Sequence, residues 1–234
     1  MYSDVFCKVY NTFGWNYYPE FFAEELLLWL KEQQLTPKTS MDLACGTGIL
    51  CKILRETGVE AAGMDFSSGM IQIARENCPG IPFDVADMIT YRPDKRFDLV
   101  TCTGDALNHI EKLSDVEKIF ENVRNYLSEG GHFIFDVLNA HEISTSEPFE
   151  MDYDEHTRVW FQMTQPEEGK VNLKIRVFED GKEQFEENIR ETVHDVAAIC
   201  DLLRKTGFTV VRCADSLREG AGHGTTWFVI ARKD

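Results

Sequence analysis

Residues 41–48 run Met-Asp-Leu-Ala-Cys-Gly-Thr-Gly. A short apolar strand leads into an acid and then a glycine-rich turn. Ile49, Leu50, Ile53 and Leu54 follow at helical spacing. Strand, Gly loop and helix in that order bring backbone N–H groups close to a ligand and aim a helix N-terminus at it. Gly46 and Gly48 have no Cβ, so a small molecule can lie against the main chain. A dinucleotide site would want G-x-G-x-x-G or G-x-G-x-x-A, but the third position here is Cys51. Asp42 stands four residues before Gly46, where a dinucleotide fold usually keeps an apolar strand residue.

The elements that must position this loop alternate along the chain. Residues 19–34 read as an amphipathic helix with Phe22, Leu26, Trp29 and Leu30 on one face. Strand 40–44 enters the loop, and its helix ends at Gly58. Strand 59–65 follows, then a helix over 69–77 with Ser67 as N-cap. Strands are expected at 82–86 and 97–102, and a helix over 115–127 with Ser114 and Glu117 as a capping box. Gly130-Gly131 reads as a tight turn into strand 132–137. Residues 158–165, 170–179 and 183–193 instead alternate polar and apolar residues between Gly-containing turns, as an antiparallel meander does. A helix over 195–206 and two strands, 208–213 and 226–232, complete the chain. The reading is α/β: a doubly wound, Rossmann-like, seven-stranded sheet, mostly parallel with the last strand antiparallel, carrying a small antiparallel β insertion. Val159, Phe161, Val171, Leu173, Ile175 and Val177 on the meander need cover, from the core or from a second copy.

Composition narrows the partners. The chain has 234 residues, which fits one domain with an inserted lobe. Forty acids against 24 bases give a formal net charge of −16, which repels phosphate backbones. Nucleic acid is therefore not an expected partner. No apolar stretch approaches the length of a membrane span and no leader pattern opens the chain. Seven scattered cysteines, none in C-x-x-C, predict a reduced, cytoplasmic protein without a disulfide framework. His and acids do not cluster at ligand spacing, so no metal is expected.

The pattern Asp42-x-Ala44-Cys45-Gly46-Thr47-Gly48 resembles motif I of the class I S-adenosylmethionine-dependent methyltransferases. The resemblance continues in order. Gly63-Met64-Asp65 matches the position whose acid holds both ribose hydroxyls, with Phe66 and Met70 near the adenine. Asp87-Met88 matches the acid–apolar pair on the adenine, and residues 97–103, ending at Thr103, match the strand that faces the methyl group. It covers roughly residues 38–138 and the closing hairpin. It implies S-adenosylmethionine (SAM) as cofactor, whose ammonium and sulfonium suit Asp42 and the loop carbonyls. The layout is similar to small-molecule methyltransferases of the sugar N,N-dimethyltransferase kind. It implies residues 1–35 as an N-terminal helical lid, 36–148 and 194–234 as the cofactor-binding core, and 149–193 as the insertion, serving as substrate lid or dimer interface.

Thr103-Gly-Asp-Ala-Leu-Asn-His109 follows the fourth strand. The resemblance carries His109 to the acceptor side, where an imidazole can take a proton near neutral pH. Asp105 is the second catalytic candidate, able to hold a cationic or hydroxylated substrate. The N-terminus is aromatic-rich, and the resemblance implies Tyr10 at the cofactor's methionine end, where a ring beside a sulfonium is favourable. The expected protein is a monomer or homodimer that methylates an amine or hydroxyl of a small molecule by in-line displacement. Two alternatives share the fold: an NAD(P)-dependent oxidoreductase, and a non-catalytic SAM-binding partner protein.

Overall fold

A computed structural model describes residues 3–15, 17–139, 147–218, 224 and 226–234. A seven-stranded sheet is built from β1 (Thr39–Leu43), β2 (Glu60–Asp65), β3 (Phe83–Val85), β4 (Phe97–Cys102), β5 (Leu127–Leu138), β10 (Phe208–Ala214) and β11 (Thr226–Lys233). Its order is β3-β2-β1-β4-β5-β11-β10. The first five strands run parallel, and β11 is antiparallel to both β5 and β10. The order reverses at β1, between β2 and β4. Such a switch point opens a crevice at the strands' carboxyl ends.

Both faces are covered. On one side lie α2 (Tyr17–Glu32), α3 (Ile49–Glu56) and α4 (Ser68–Asn77). α2 buries Phe22, Ala23, Leu26, Trp29 and Leu30, which recur at helical spacing. On the other side lie α5 (Leu113–Tyr126) and α6 (Val196–Lys205), packed through Ile119, Phe120, Val123, Ile199 and Leu203 onto Phe133, Phe135 and Val229. Ser67 caps α4 as expected, accepting from the Met70 N–H.

Two boundaries differ from the sequence expectation. The N-cap of α5 is Lys112, whose carbonyl accepts from Asp115 and Val116, so Ser114 already lies in the first turn and cannot cap it. Gly130 and Gly131 form no separate turn but lie inside β5, which starts directly after α5. Gly130 takes φ +73° and the pairing register shifts there, so the glycines make a bulge. A Cβ on Gly131 would stand 2.8 Å from the Ser128 carbonyl oxygen and 3.0 Å from that of Asp98.

A second sheet has the order β6-β7-β8-β9, with β6 (Phe149–Asp152) added to the three expected strands, β7 (Thr157–Thr164), β8 (Lys170–Glu179) and β9 (Lys182–Thr192). Its apolar face is covered from within the chain. Helix α1 (Asp4–Val9) and the loop after it pack Phe6, Cys7, Tyr10, Phe13 and Trp15 onto Val159, Phe161, Leu173, Ile175, Val177 and Ile189. Met70 and Ile73 of α4 close the same cluster. Buried side chains of this size contribute about 1.5–3 kcal/mol each. The N-terminal segment is therefore wedged between the main sheet's helices and the second sheet. Among the described residues, no helix is long and apolar enough to cross a membrane.

Candidate active site at the mouth of the parallel sheet

β1 delivers the Gly loop to the switch point. Ala44 leaves the strand with φ +54°, and the Cys45 N–H donates to the Met64 carbonyl at 2.9 Å, tying the loop to β2. The two glycines differ in purpose. Gly48, at φ +80°, caps α3, and a Cβ there would stand 2.9 Å from the Phe83 ring. Gly46, at φ +53°, faces open space within 4 Å of where its Cβ would be. That gap against bare main chain is a cradle of the kind a close-lying ligand needs.

Asp65 borders the gap. Its Oδ2 accepts from the Gly46 N–H at 3.0 Å and its Oδ1 from the Ser67 N–H at 2.8 Å. Burial pushes its pKa up, and those N–H groups pull it back. Asp42 is buried at the pairing position opposite Thr101, whose hydroxyl donates to it at 2.7 Å. Burial raises the Asp42 pKa to about 7, against the opposing Thr101 bond. Beyond β3, Asp87 is half-buried and Oδ1 accepts from the Ile89 N–H, while Met88 packs on the core. Phe66 is exposed beside Asp65. Met70 is elsewhere, fully buried against Phe6 and Cys7, where it supports the N-terminal helix.

The side of the mouth around Asp105 and His109 is organised by a residue not singled out from the sequence. Asp136 of β5 is fully buried and accepts from the Tyr18 hydroxyl at 2.6 Å, the Gly104 N–H at 3.0 Å and the Asp105 N–H at 2.8 Å. It thereby fixes the chain that leaves β4 through the half-buried Thr103. Gly104 and Asp105 both take positive φ, +72° and +58°. A 3-10 turn over Ala106–His109 follows. Burial, then Asp136 and Glu191, push the Asp105 pKa well above the usual carboxylate range. His109 Nε2 lies 3.9 Å from Glu191 Oε1, and burial lowers its pKa. Glu191 rises to about 7, through burial and then Asp136.

The N-terminal segment spans both halves. Thr47 Oγ1 donates to Asn11 Oδ1 at 2.8 Å, so the segment is latched onto the Gly loop. Ser3 donates to the buried Glu187 of β9 through its N–H and its hydroxyl. Burial, then Asp65 and Asp105, raise the Tyr10 pKa to about 12. A cavity of about 510 Å³ lined by Glu150, His156, Arg158 and Asp180 lies at the second sheet's rim and shares none of these residues.

Asn11, Tyr18, Asp136, Glu187 and Glu191 were thus not anticipated. Asp136 carried a signal, an acid inside the otherwise apolar run Phe-Ile-Phe-Asp-Val-Leu. Glu187 and Glu191 fall in phase with Ile189, so period-two alternation puts both on the covered face.

The profile of the methyltransferase domain family matches residues 15–212. The chain belongs to the methyltransferase domain family. A Geobacillus sp. (strain WCH70) protein named as a methyltransferase is 27% identical over 209 residues, 84% of this chain and 85% of that one. The dTDP-4-amino-2,3,4,6-tetradeoxy-D-glucose N,N-dimethyltransferase of Saccharopolyspora spinosa is 23% identical over 55% of this chain and 51% of its own length. The SAM-bound amino pentose methyltransferase of Micromonospora echinaspora superposes with a TM-score of 0.79 at 17% identity, over 100% of this chain and 98% of that one. That last likeness is one of fold, and it extends over both sheets of this methyltransferase-family chain.

Proposed function

We propose that the chain transfers a methyl group from SAM to an amine of a small molecule. The observation that carries the choice of amine is the acid lining of the acceptor side. Asp105, Asp136 and Glu191 converge there, and among the described residues no lysine or arginine forms an ion pair with any of them. Their raised pKa values express an unmet demand for positive charge, which a bound ammonium supplies. The amino sugars in the names of two of the relatives agree with this choice.

Bound SAM supplies a methyl group already activated on a sulfonium, so the protein's task is largely positioning. The residues fit that ligand. Gly46 leaves room against the backbone, Asp65 is fixed by two N–H groups with lone pairs left for the ribose hydroxyls, and Asp87 uses one oxygen for its own turn and leaves the other for the adenine amino group. Ala44, Cys45 and Thr47 contribute backbone, and Asp42 supplies a negative field behind the cationic end. Residues 1–35 act as the lid, with Tyr10 beside the methionine end, and 149–193 wall the acceptor pocket. Asp105 holds the acceptor ammonium and His109 accepts its proton.

The test offers the purified protein methyl-labelled SAM and matched acceptors, 4-amino sugar nucleotides and their 4-hydroxyl counterparts. Label is expected on nitrogen. Label on the hydroxyl compounds alone would overturn the amine assignment.

A further inference from the structure

The acid-lined mouth creates a chemical problem. It favours the acceptor as an ammonium, and an ammonium has no lone pair with which to attack. A site that binds its amine this way needs a proton acceptor within reach, held so that it works in a strongly negative field.

Two groups meet at that place, and they come from different sheets. His109 ends the turn after β4, and Glu191 stands near the end of β9. Nε2 and Oε1 are 3.9 Å apart, an ion-pair separation that one water can bridge. The Glu191 side chain is 11% exposed and that of His109 34%, so the acid is enclosed while the imidazole still reaches the mouth. The approach is built in. Asn108 donates to the Thr192 carbonyl at 2.8 Å and accepts from the Leu138 N–H, joining β9 to β5. His109 hydrogen-bonds to the Arg190 backbone, and His194 lies 2.7 Å from the Ile110 carbonyl. Lys170 bonds Glu111 and Thr192 from the adjoining strand. The turn carrying His109 is thus clamped on both sides of Glu191. An acid on the apolar face of β9, in phase with Ile189, is costly unless it has a task.

We propose that Glu191 positions His109 and balances its charge, the two forming the proton-accepting dyad of the acceptor site, with the insertion supplying half of it. The inference rests on the amine reading above. His109 takes one proton from the bound ammonium, leaving a neutral amine and an imidazolium. The amine lone pair then forms the N–C bond, and the pair of the broken C–S bond stays on sulfur. The positive charge so moves from sulfur to the methylated nitrogen, and the imidazolium returns its proton to solvent. Glu191 acts through His109 and touches no reacting atom. Its field shares the site with Asp105, Asp136 and the Tyr18 hydroxyl, with Lys170 beyond Thr192.

The experiment is an NMR titration of ring-labelled histidines in the protein alone, with His109→Gln identifying the resonance. In Glu191→Gln the His109 midpoint is expected to move down by about half a pH unit or more, since at 3.9 Å an imidazolium holds the Glu191 carboxyl ionised and the two groups titrate as a pair. Glu191→Asp, one methylene shorter, should give a smaller move in the same direction. A midpoint unchanged in both variants, each shown folded by an unaltered far-UV spectrum, would overturn the dyad. With the amino sugar nucleotide, the acidic limb of the kcat pH profile should move with the midpoint. Failure of wild type to bind S-adenosylhomocysteine would instead sink the underlying reading, so the two failures are told apart.

Discussion

Asp136→Asn should loosen the proposed acceptor side and the proposed lid together. In wild type, Oδ2 accepts from Tyr18 and Gly104 while Oδ1 accepts from Asp105. An asparagine has one acceptor oxygen. Whichever way its amide turns, an NH2 faces a buried backbone N–H, either that of Asp105 or that of Gly104. One unsatisfied buried donor costs about 1–3 kcal/mol, and losing the charge on the surviving bonds costs about 1 kcal/mol each. Against this stands relief from burying a carboxylate, which the raised Asp136 pKa reports as unfavourable. The net loss is about 2–4 kcal/mol. Urea unfolding of wild type, Asp136→Asn, Tyr18→Phe and the double variant measures it. Tyr18→Phe alone should cost about 1–2 kcal/mol, and the pair should couple by about 1 kcal/mol. Asp136→Asn within about 0.5 kcal/mol of wild type, or strict additivity, would refute the reasoning.

Gly46→Ala places a methyl in the open space of the cradle at φ +53°. It should cost about 1–2 kcal/mol of stability and weaken S-adenosylhomocysteine binding more than tenfold by calorimetry. Glu191 has a folded pKa of about 7, above its unfolded value near 4.5, so its contribution to stability falls as pH rises from about 4.5 through about 7. Glu191→Gln should therefore match wild type near pH 4.5 and exceed it by up to about 2–3 kcal/mol at pH 8, read from urea midpoints at both pH values. Asn11→Ala removes the bond to Thr47 and should speed protease cleavage after Tyr10 or Phe13, with S-adenosylhomocysteine giving less protection than in wild type.

The residues of the proposed cofactor half were legible as a cluster because their information is local. Strand, acid, Gly loop and helix lie within twenty residues, and Asp65 and Asp87 each close a strand of the same alternating pattern. The acceptor half was less so, because it is assembled from distant segments. Tyr18 reaches Asp136 across 118 positions and Ser3 reaches Glu187 across 184. Alternation marked the meander's apolar face, but no local feature said what covers it. Phe6 and Trp15 answer that, and they also take Met70 out of the cleft. Ser114 and the Gly130-Gly131 pair were misread because backbone context outranked residue preference, the helix having already begun and the strand already running.

Isothermal titration with S-adenosylhomocysteine and, separately, NAD, on wild type and Asp65→Ala, tests the central claim most directly. Wild type should bind S-adenosylhomocysteine and not NAD, and Asp65→Ala should lose at least tenfold in affinity. Binding of NAD in its place, or an affinity for S-adenosylhomocysteine indifferent to Asp65, would contradict the account.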